Sequence, residues 1–475
     1  MGDPNCTSQS AKEKPEDLAR RLFAGALAIC ALVSIALYNG YPTLFSDTGS
    51  YLLTGKFFVA LAPFRAPGYS IFVRVTSLGI SAWFTIAMQA VMVVYVLYET
   101  CIYLVDSDRK FADRCFLASV CALAALTSLP WLVSLVMPDV FAGVLFLSAF
   151  LLAFAGELRR MQRIALAVIL AISVAAHTSL FPIAGLFVVA VVVLRCISRT
   201  PRLLPSTRSV LAWLLIPIIA SGFVTAELNR EMGLGFRLSP SRNAFLLARL
   251  FGDGLAADFL RENCPQRHFL SCRYLRHLPR SQEEFLFQSP LFPELLKGHQ
   301  NEMEDIVRGT LLADPVRFVT TSAKQTLLQL SALRTGDEIR SYSAIEWNNS
   351  VVPRVFPGDL KAFLNARQYR GRLTPLADAS AALDTIVFWL SLVTCLLLAG
   401  TGRFARVNLF LFSAIAFLVM NATICASFAG VYDRYQSRVA WIIPYCLSAY
   451  IACRAKDWKL WENVEKIEEL EAPAE

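Results

Sequence analysis

Charge is scarce in this sequence. Asp, Glu, Lys and Arg make up 17% of its 475 residues, where a soluble globular chain carries about a quarter. With 56% hydrophobic residues and a mean hydropathy of +0.50, the deficit excludes an ordinary soluble domain and indicates several membrane spans. The basic excess is small, 45 Lys and Arg against 37 Asp and Glu. It falls in short clusters between apolar runs, with no basic stripe interleaved with aromatics, which argues against nucleic acid as a partner.

Metal-ligand signatures are missing too. There are 4 histidines and 12 cysteines, with no Cys-x-x-Cys or Cys/His ligand spacing, so a structural zinc site is not expected. Most cysteines (Cys30, Cys101, Cys121, Cys395, Cys446, Cys453) sit in apolar runs, where Cys acts as a small hydrophobe. One pair in a hydrophilic stretch, Cys264 and Cys272, is a candidate disulfide if that stretch meets an oxidising compartment. No Gly-rich phosphate loop, Gly-x-Ser-x-Gly elbow, Asp-x-Asp pair or internal repeat occurs. No cleavable signal peptide is expected, because the first apolar run, 22–38, is long enough to span and lacks a small-residue cleavage site.

What is present is a series of apolar runs. Ten candidate spans fall at about 22–38, 80–105, 115–136, 140–155, 164–176, 180–194, 210–228, 382–400, 407–425 and 439–453. With the N-terminus inside, every inner segment is basic: Lys12 to Arg21, Arg109 to Arg114, Arg159 to Arg163, Arg195 to Arg208, Arg403 and Arg406, and Arg454 to Lys459. Two short outer turns, at 128–138 and 177–181, carry no Lys or Arg, so the positive-inside rule puts both termini in the cytoplasm. The expected organisation is a cytoplasmic tail (1–21), an N-terminal transmembrane module (22–228) with a first outer loop at 40–79, an outer, periplasmic block (229–381), C-terminal spans (382–453) and a cytoplasmic tail (454–475). The fold class is an all-α polytopic membrane protein. Interfacial helices are expected in the first outer loop, and helical spacing at 242–251, 301–313 and 315–333 makes the outer block mainly helical. A bacterial inner membrane is the expected location.

The first outer loop, Tyr41-Pro-Thr-Leu-Phe-Ser-Asp47-Thr-Gly-Ser-Tyr51 and later Phe64-Arg65-Ala-Pro67-Gly-Tyr69, holds a lone acid in apolar surroundings. Asp47 is a candidate general base at a low-dielectric interface; alternatively it caps the helix that starts at Thr48. Asp139, at the outer start of the fourth span, is likewise a functional candidate or a helix-start acid. In Tyr432-Asp433-Arg434-Tyr435-Gln436-Ser437-Arg438, two arginines at i, i+4 share a face and could grip a phosphate, although tyrosines at this depth also belong to an ordinary aromatic belt. Arg65 is a third candidate phosphate ligand, or meets only lipid headgroups; Tyr51, Tyr69 and Tyr435 are candidate substrate-lining residues, and His177 is either another or a satisfied turn residue. The stretches 239–242 and 346–349 are weaker candidates for an acceptor groove, and His268, His277 and His299 have no ligand spacing.

Together, Ser46-Asp47-Thr48-Gly49-Ser50-Tyr51 and Arg65-x-Pro67-x-Tyr69 resemble the first loop of GT-C glycosyltransferases, the superfamily of protein O-mannosyltransferases, lipid A aminoarabinose transferases and oligosaccharyltransferases. The resemblance covers most of the chain as architecture: a first-loop acid, a second acid near the fourth span, and a sizeable outer block before the last helices. It implies transfer of a sugar from a polyprenyl-phosphate carrier to a hydroxyl on a glycan, lipid or protein acceptor. Asp47 would be the base, Asp139 would orient a substrate, and Arg434, Arg438 and Arg65 would hold the donor phosphate. The chain departs from the pattern in having one first-loop acid rather than an Asp-Glu pair, and in lacking Asp-x-Asp. No cofactor is indicated, and a divalent metal is left open without a ligand motif. Two other classes remain open: an O-antigen-type polysaccharide polymerase or ligase, which would lean on outer-block residues such as Arg242 and His268, and a lipid or glycan transporter, which would want ionisable residues at span centres.

Overall fold

The computed structural model describes residues 15–59, 65–197, 206–336, 339 and 342–471. Its elements are helices; among the described residues the only extended pairing is an isolated bridge between Thr43 and Leu135. Five helices are long and apolar enough to cross a membrane: Ala82–Val105, Leu180–Ile197, Val210–Glu231, Thr374–Ala399 and Ala405–Phe428. On Thr374–Ala399, Ile386, Trp389, Leu390, Val393 and Leu397 lie at helical spacing on one face and are 45–72% exposed. An unpartnered apolar stripe of this kind is what hydrocarbon covers.

The centre of the bundle is Phe141–Phe154, whose 14 residues are all buried. A helix apolar all round has no face to give to solvent, so it must be enclosed. Phe146 meets Phe150, Phe187, Phe410 and Phe417 with ring centroids 5.0–6.0 Å apart. Gly143 has to be glycine: a Cβ there would stand 2.3 Å from the Trp441 ring.

Three of the expected spans are interrupted. The 22–38 run divides into Pro15–Leu32 and Ser34–Asn39, and the 115–136 run into the end of Arg109–Leu126 and Leu129–Ser134. The 439–453 run divides between Asp433–Ala440 and Ile442–Glu471. Near two of these breaks Ser134 satisfies buried amides, as such groups require: Ala36 N donates to its Oγ at 3.1 Å, and Thr43 N to its backbone O at 2.9 Å. The first-loop helix Thr48–Phe57 also differs from expectation. It does not lie free at a surface; seven of its residues are buried, and it packs between Pro67–Thr76 and Tyr342–Val355.

Ion pairs between segments cross-link the helix ends of the bundle. At the end where Arg109–Leu126 begins, Arg20 pairs with Asp113 at 3.1 Å, Arg406 with Asp106 and Glu157 at 3.3 Å, and Arg403 with Asp457 at 3.1 Å. Beyond the other end of that helix, Ser128 Oγ donates to Ser437 O at 2.8 Å. Arg20, Arg403 and Arg406 each find an acid from another segment in this way.

Residues 242–307 carry a second hydrophobic core, built on Leu247, Phe251, Leu260, Phe285, Leu291 and Ile306. Its helices include Arg242–Gly252 and Gln300–Ala313, close to the boundaries that periodicity suggests, and Pro315–Ser331, whose start Asp314 caps by accepting from Arg317 N at 2.9 Å. A disulfide joins Cys264 to Cys272 with their Cα atoms 5.5 Å apart. Buried Arg249 fastens this unit to the bundle, donating to Ala426 O at 2.8 Å while pairing with Asp253, and Pro315–Ser331 packs along Ala405–Phe428.

Candidate functional site

Buried polar contacts at two consecutive residues fix the first loop. Leu44 N donates to Gln368 Oε1 at 2.9 Å and Leu44 O accepts from Gln368 Nε2 at 2.6 Å. Phe45 N donates to Thr48 Oγ1 at 2.9 Å, and Phe45 O accepts from Asn348 Nδ2 at 2.8 Å. Next to Asn348, Trp347 lies against Gly49, where a Cβ would come within 2.2 Å of Nε1. The 346–349 stretch is therefore a strut beneath the loop and not an acceptor groove.

Held this way, Asp47 makes no side-chain cap to the helix it precedes. Its carboxylate instead pairs with Arg65 through Oδ1 and faces Arg434 Nη1 at 3.5 Å through Oδ2. The three side chains are only 13–22% exposed. Arg434 comes from Asp433–Ala440, and its guanidinium stacks over Phe45 at 4.5 Å and Tyr435 at 5.2 Å. The approach to that helix is clamped from Pro315–Ser331: Gln329 donates to Tyr432 O at 2.8 Å and accepts from Tyr432 N at 3.0 Å.

Two cavities meet at this cluster. The larger, about 760 Å³, has Arg65, Arg434, Tyr435 and His177 on one wall, and Arg242 and Arg308 from the helices Arg242–Gly252 and Gln300–Ala313. Between these it is lined by apolar side chains such as Phe181, Leu311 and Phe428. The smaller, about 250 Å³, contains Asp47 and shares Arg65, Arg434 and Tyr435 with the larger. Asp47 faces only the smaller cavity and His177 only the larger; the two arginines stand between them.

His177 follows the end of Arg160–Ala176. Its Nδ1 accepts from Ser179 N at 3.2 Å, which leaves the proton of a neutral ring on Nε2, a donor for the cavity. Burial, and then the positive charges of Arg438, Arg434 and Arg65, hold its pKa well below the ordinary histidine range. Burial pushes the Tyr435 hydroxyl in the other direction, up, so it stays protonated at neutral pH.

Several expected site residues lie elsewhere. Arg438 does not grip the cavities beside Arg434; it is fully buried and held by Asn421 Oδ1 at 2.7 Å and Ser179 Oγ at 3.1 Å. An i, i+4 pair shares a face but sits one helical turn apart along it, and here the Arg438 turn is enclosed by Asn421 and Ser179 while Arg434, 18% exposed, reaches the cavities. Tyr51 and Tyr69 line neither cavity. They are 2% and 0% exposed, in edge contact at 5.0 Å, and Tyr69 donates to Gln89 Oε1 at 2.7 Å. Asp139 is 3% exposed and caps nothing; its Oδ1 is buried without a hydrogen-bond donor. It also lines neither cavity. Among the described residues, no group of three or more His, Cys, Asp and Glu is placed to hold a metal ion.

Arg308, Gln282, Glu283 and Phe287 carry no distinguishing pattern in the sequence, yet all four line the cavities. They lie in amphipathic or irregular stretches whose exposed polar residues look alike until the chain is folded. An apolar chamber with an arginine cluster at its inner end suits an amphiphile with an anionic head, and the adjoining carboxylate suits a proton-losing nucleophile. No family model matches the chain, and no curated protein or solved structure matches it either.

Proposed function

We propose that this protein is a membrane glycosyltransferase of GT-C-like architecture, moving a sugar from a polyprenyl-phosphate carrier to an acceptor hydroxyl. One observation carries the reading: Asp47 faces the smaller cavity alone, while its partners Arg65 and Arg434 face both. The donor's isoprenoid tail occupies the apolar part of the larger cavity, and its phosphate sits at Arg65 and Arg434, where His177 Nε2 donates a further hydrogen bond.

The acceptor hydroxyl enters from the smaller cavity. Its oxygen attacks the anomeric carbon as the bond from that carbon to the phosphate oxygen breaks. The hydroxyl proton passes to Asp47, and the electron pair leaves with polyprenyl phosphate, an inverting displacement. Both Asp47 oxygens face guanidinium groups in the substrate-free protein. A phosphate competes for those guanidinium groups, so donor binding frees the base, and the donor binds first. Each preorganised cation is worth about 2.7–4 kcal/mol at the transition state.

The same reading places ten spans across a bacterial inner membrane, with both termini cytoplasmic and the site on the outer face. The five long apolar helices, the clustering of basic segments at one end and the Cys264–Cys272 disulfide in the outer block support it. The interrupted helices and the short Phe141–Phe154 helix complete the spans within the bundle's protein surround. A lipid-linked donor follows from that side of the membrane, where soluble nucleotide sugars are absent.

The direct experiment reconstitutes the purified chain in liposomes with a radiolabelled sugar on a polyprenyl-phosphate carrier. Label transferred to an added acceptor, with free polyprenyl phosphate released, supports the reading. Label that stays on the carrier with every acceptor class contradicts it. A polymerase would instead depend more heavily on Arg242 than on Asp47.

A further inference from the structure

We propose that the smaller cavity is a saccharide site, so that the acceptor is a glycan. The proposal rests on the transferase reading only in calling the bound sugar an acceptor; the site itself stands on its own chemistry. Phe287 is 78% exposed at the wall of this cavity, on a π-helical turn, Glu284–Gln288. Turns of this type are uncommon and recur at functional sites. A ring held this openly, at a cavity that also carries Asp47, Glu283 and two arginines, offers its face to an occupant with both an apolar side and polar groups.

Glu283 precedes Phe287 by four residues and lines the same cavity, with no hydrogen bond or ion pair to its carboxylate among the described residues. Neighbouring Gln282 anchors the turn by donating to Ala429 O. Gly430, at φ +124°, lies so close that a Cβ would fall 2.2 Å from Gln282 Oε1. The turn bearing Glu283 and Phe287 is thus fastened to the loop that leads into Arg434.

A sugar ring matches this set: C–H groups on one face for the Phe287 ring, and a rim of hydroxyls for the Glu283 carboxylate, which only accepts. At about 250 Å³ the space suits one ring and not a long alkyl chain. A lipid tail would also offer the Glu283 carboxylate no donor. One ring hydroxyl then reaches Asp47 at the inner end.

The test uses the full chain in nanodiscs and ligand-observed saturation-transfer NMR. The probes are methyl glycosides of glucose, galactose, mannose and N-acetylglucosamine, a Ser/Thr-containing octapeptide, and a short-chain polyprenyl phosphate. At least one glycoside is expected to bind, with affinity reduced on the order of tenfold or more in Phe287→Ala and in Glu283→Gln; both variants keep wild-type affinity for polyprenyl phosphate. Both residues are exposed, and a thermal melt verifies that each variant folds. The proposal is overturned if no glycoside binds, if the variants bind glycosides as wild type does, or if the peptide alone binds and is lost in the variants. Absence of polyprenyl-phosphate binding alongside the expected glycoside result would sink the transferase reading and leave the saccharide site standing.

Discussion

Asp47 and Arg434 are 387 positions apart in the chain and 3.5 Å apart in space. The contact joins the first loop to the helix that precedes the last long one, and Arg434 also belongs to the wall between the two cavities. Its flat guanidinium is stacked on Phe45, a placement a lysine ammonium does not reproduce. Replacing it with alanine is expected to lower sugar transfer about 10²–10³-fold. Arg434→Lys should restore part of that loss, through charge without stacking. Initial rates in proteoliposomes measure both; a fully active Arg434→Ala would remove this residue from the site.

Asp139 presents the opposite situation, an acid with too few partners. A buried carboxylate oxygen without a protein donor carries a desolvation cost. Asp139→Asn keeps the shape and removes the charge, so its thermal unfolding midpoint should equal or exceed that of wild type, by up to about 1–3 kcal/mol in stability. Sugar transfer should fall about tenfold or more if Asp139 steers a substrate from behind Arg434 and Tyr435. A variant that gains stability and keeps full transfer assigns Asp139 no catalytic part.

Close packing behind the first loop gives a stability test. A Cβ on Gly68 would stand 2.2 Å from the Ala175 carbonyl oxygen, which is backbone with no room to rotate away. Gly68→Ala should therefore cost about 1–3 kcal/mol by forcing Pro67–Thr76 from Arg160–Ala176. Gly185, in Leu180–Ile197, has nothing within 4 Å of its added Cβ, and Gly185→Ala should unfold at or slightly above the wild-type temperature. Equal melting temperatures for the two variants would refute the packing described.

His177 ties the site to pH. Because its pKa in the folded chain lies well below the ordinary value, the unfolded chain binds the extra proton first as acid is added. Its contribution to stability is thus complete above about pH 6.5 and declines as pH falls from there. The drop in unfolding temperature between pH 7.5 and 5.5 should be smaller in His177→Gln than in wild type. Saturating polyprenyl phosphate should raise the His177 pKa, since a phosphate offsets Arg434 and Arg65; an NMR titration that shows no upward movement argues against a phosphate at this wall.

The all-helical class and the roles of Asp47, Arg65, Arg434 and Tyr435 as neighbours trace to one property of the sequence. Charges are so few that each outer one stands out, and the positive-inside pattern sorts segments by face before any fold is known. The same logic did not separate Arg434 from Arg438 or expose the burial of Tyr51 and Tyr69, because depth within a packed bundle depends on neighbours remote in sequence. Breaks such as the one before Leu129–Ser134 were masked by unbroken hydrophobicity, although Pro130 marks the spot. Glu283 and Phe287 had no signal at all: only the anchoring of Gln282 to Ala429 brings that turn to the cavity.

The most direct measurement is sugar transfer from a polyprenyl-phosphate donor by Asp47→Asn beside wild type, with polyprenyl-phosphate affinity measured on the same preparations. The account expects the variant to fold, to retain donor binding, and to lose transfer by about 10²–10⁴-fold, the range of a general base. Transfer at the wild-type rate by a folded Asp47→Asn protein would contradict it.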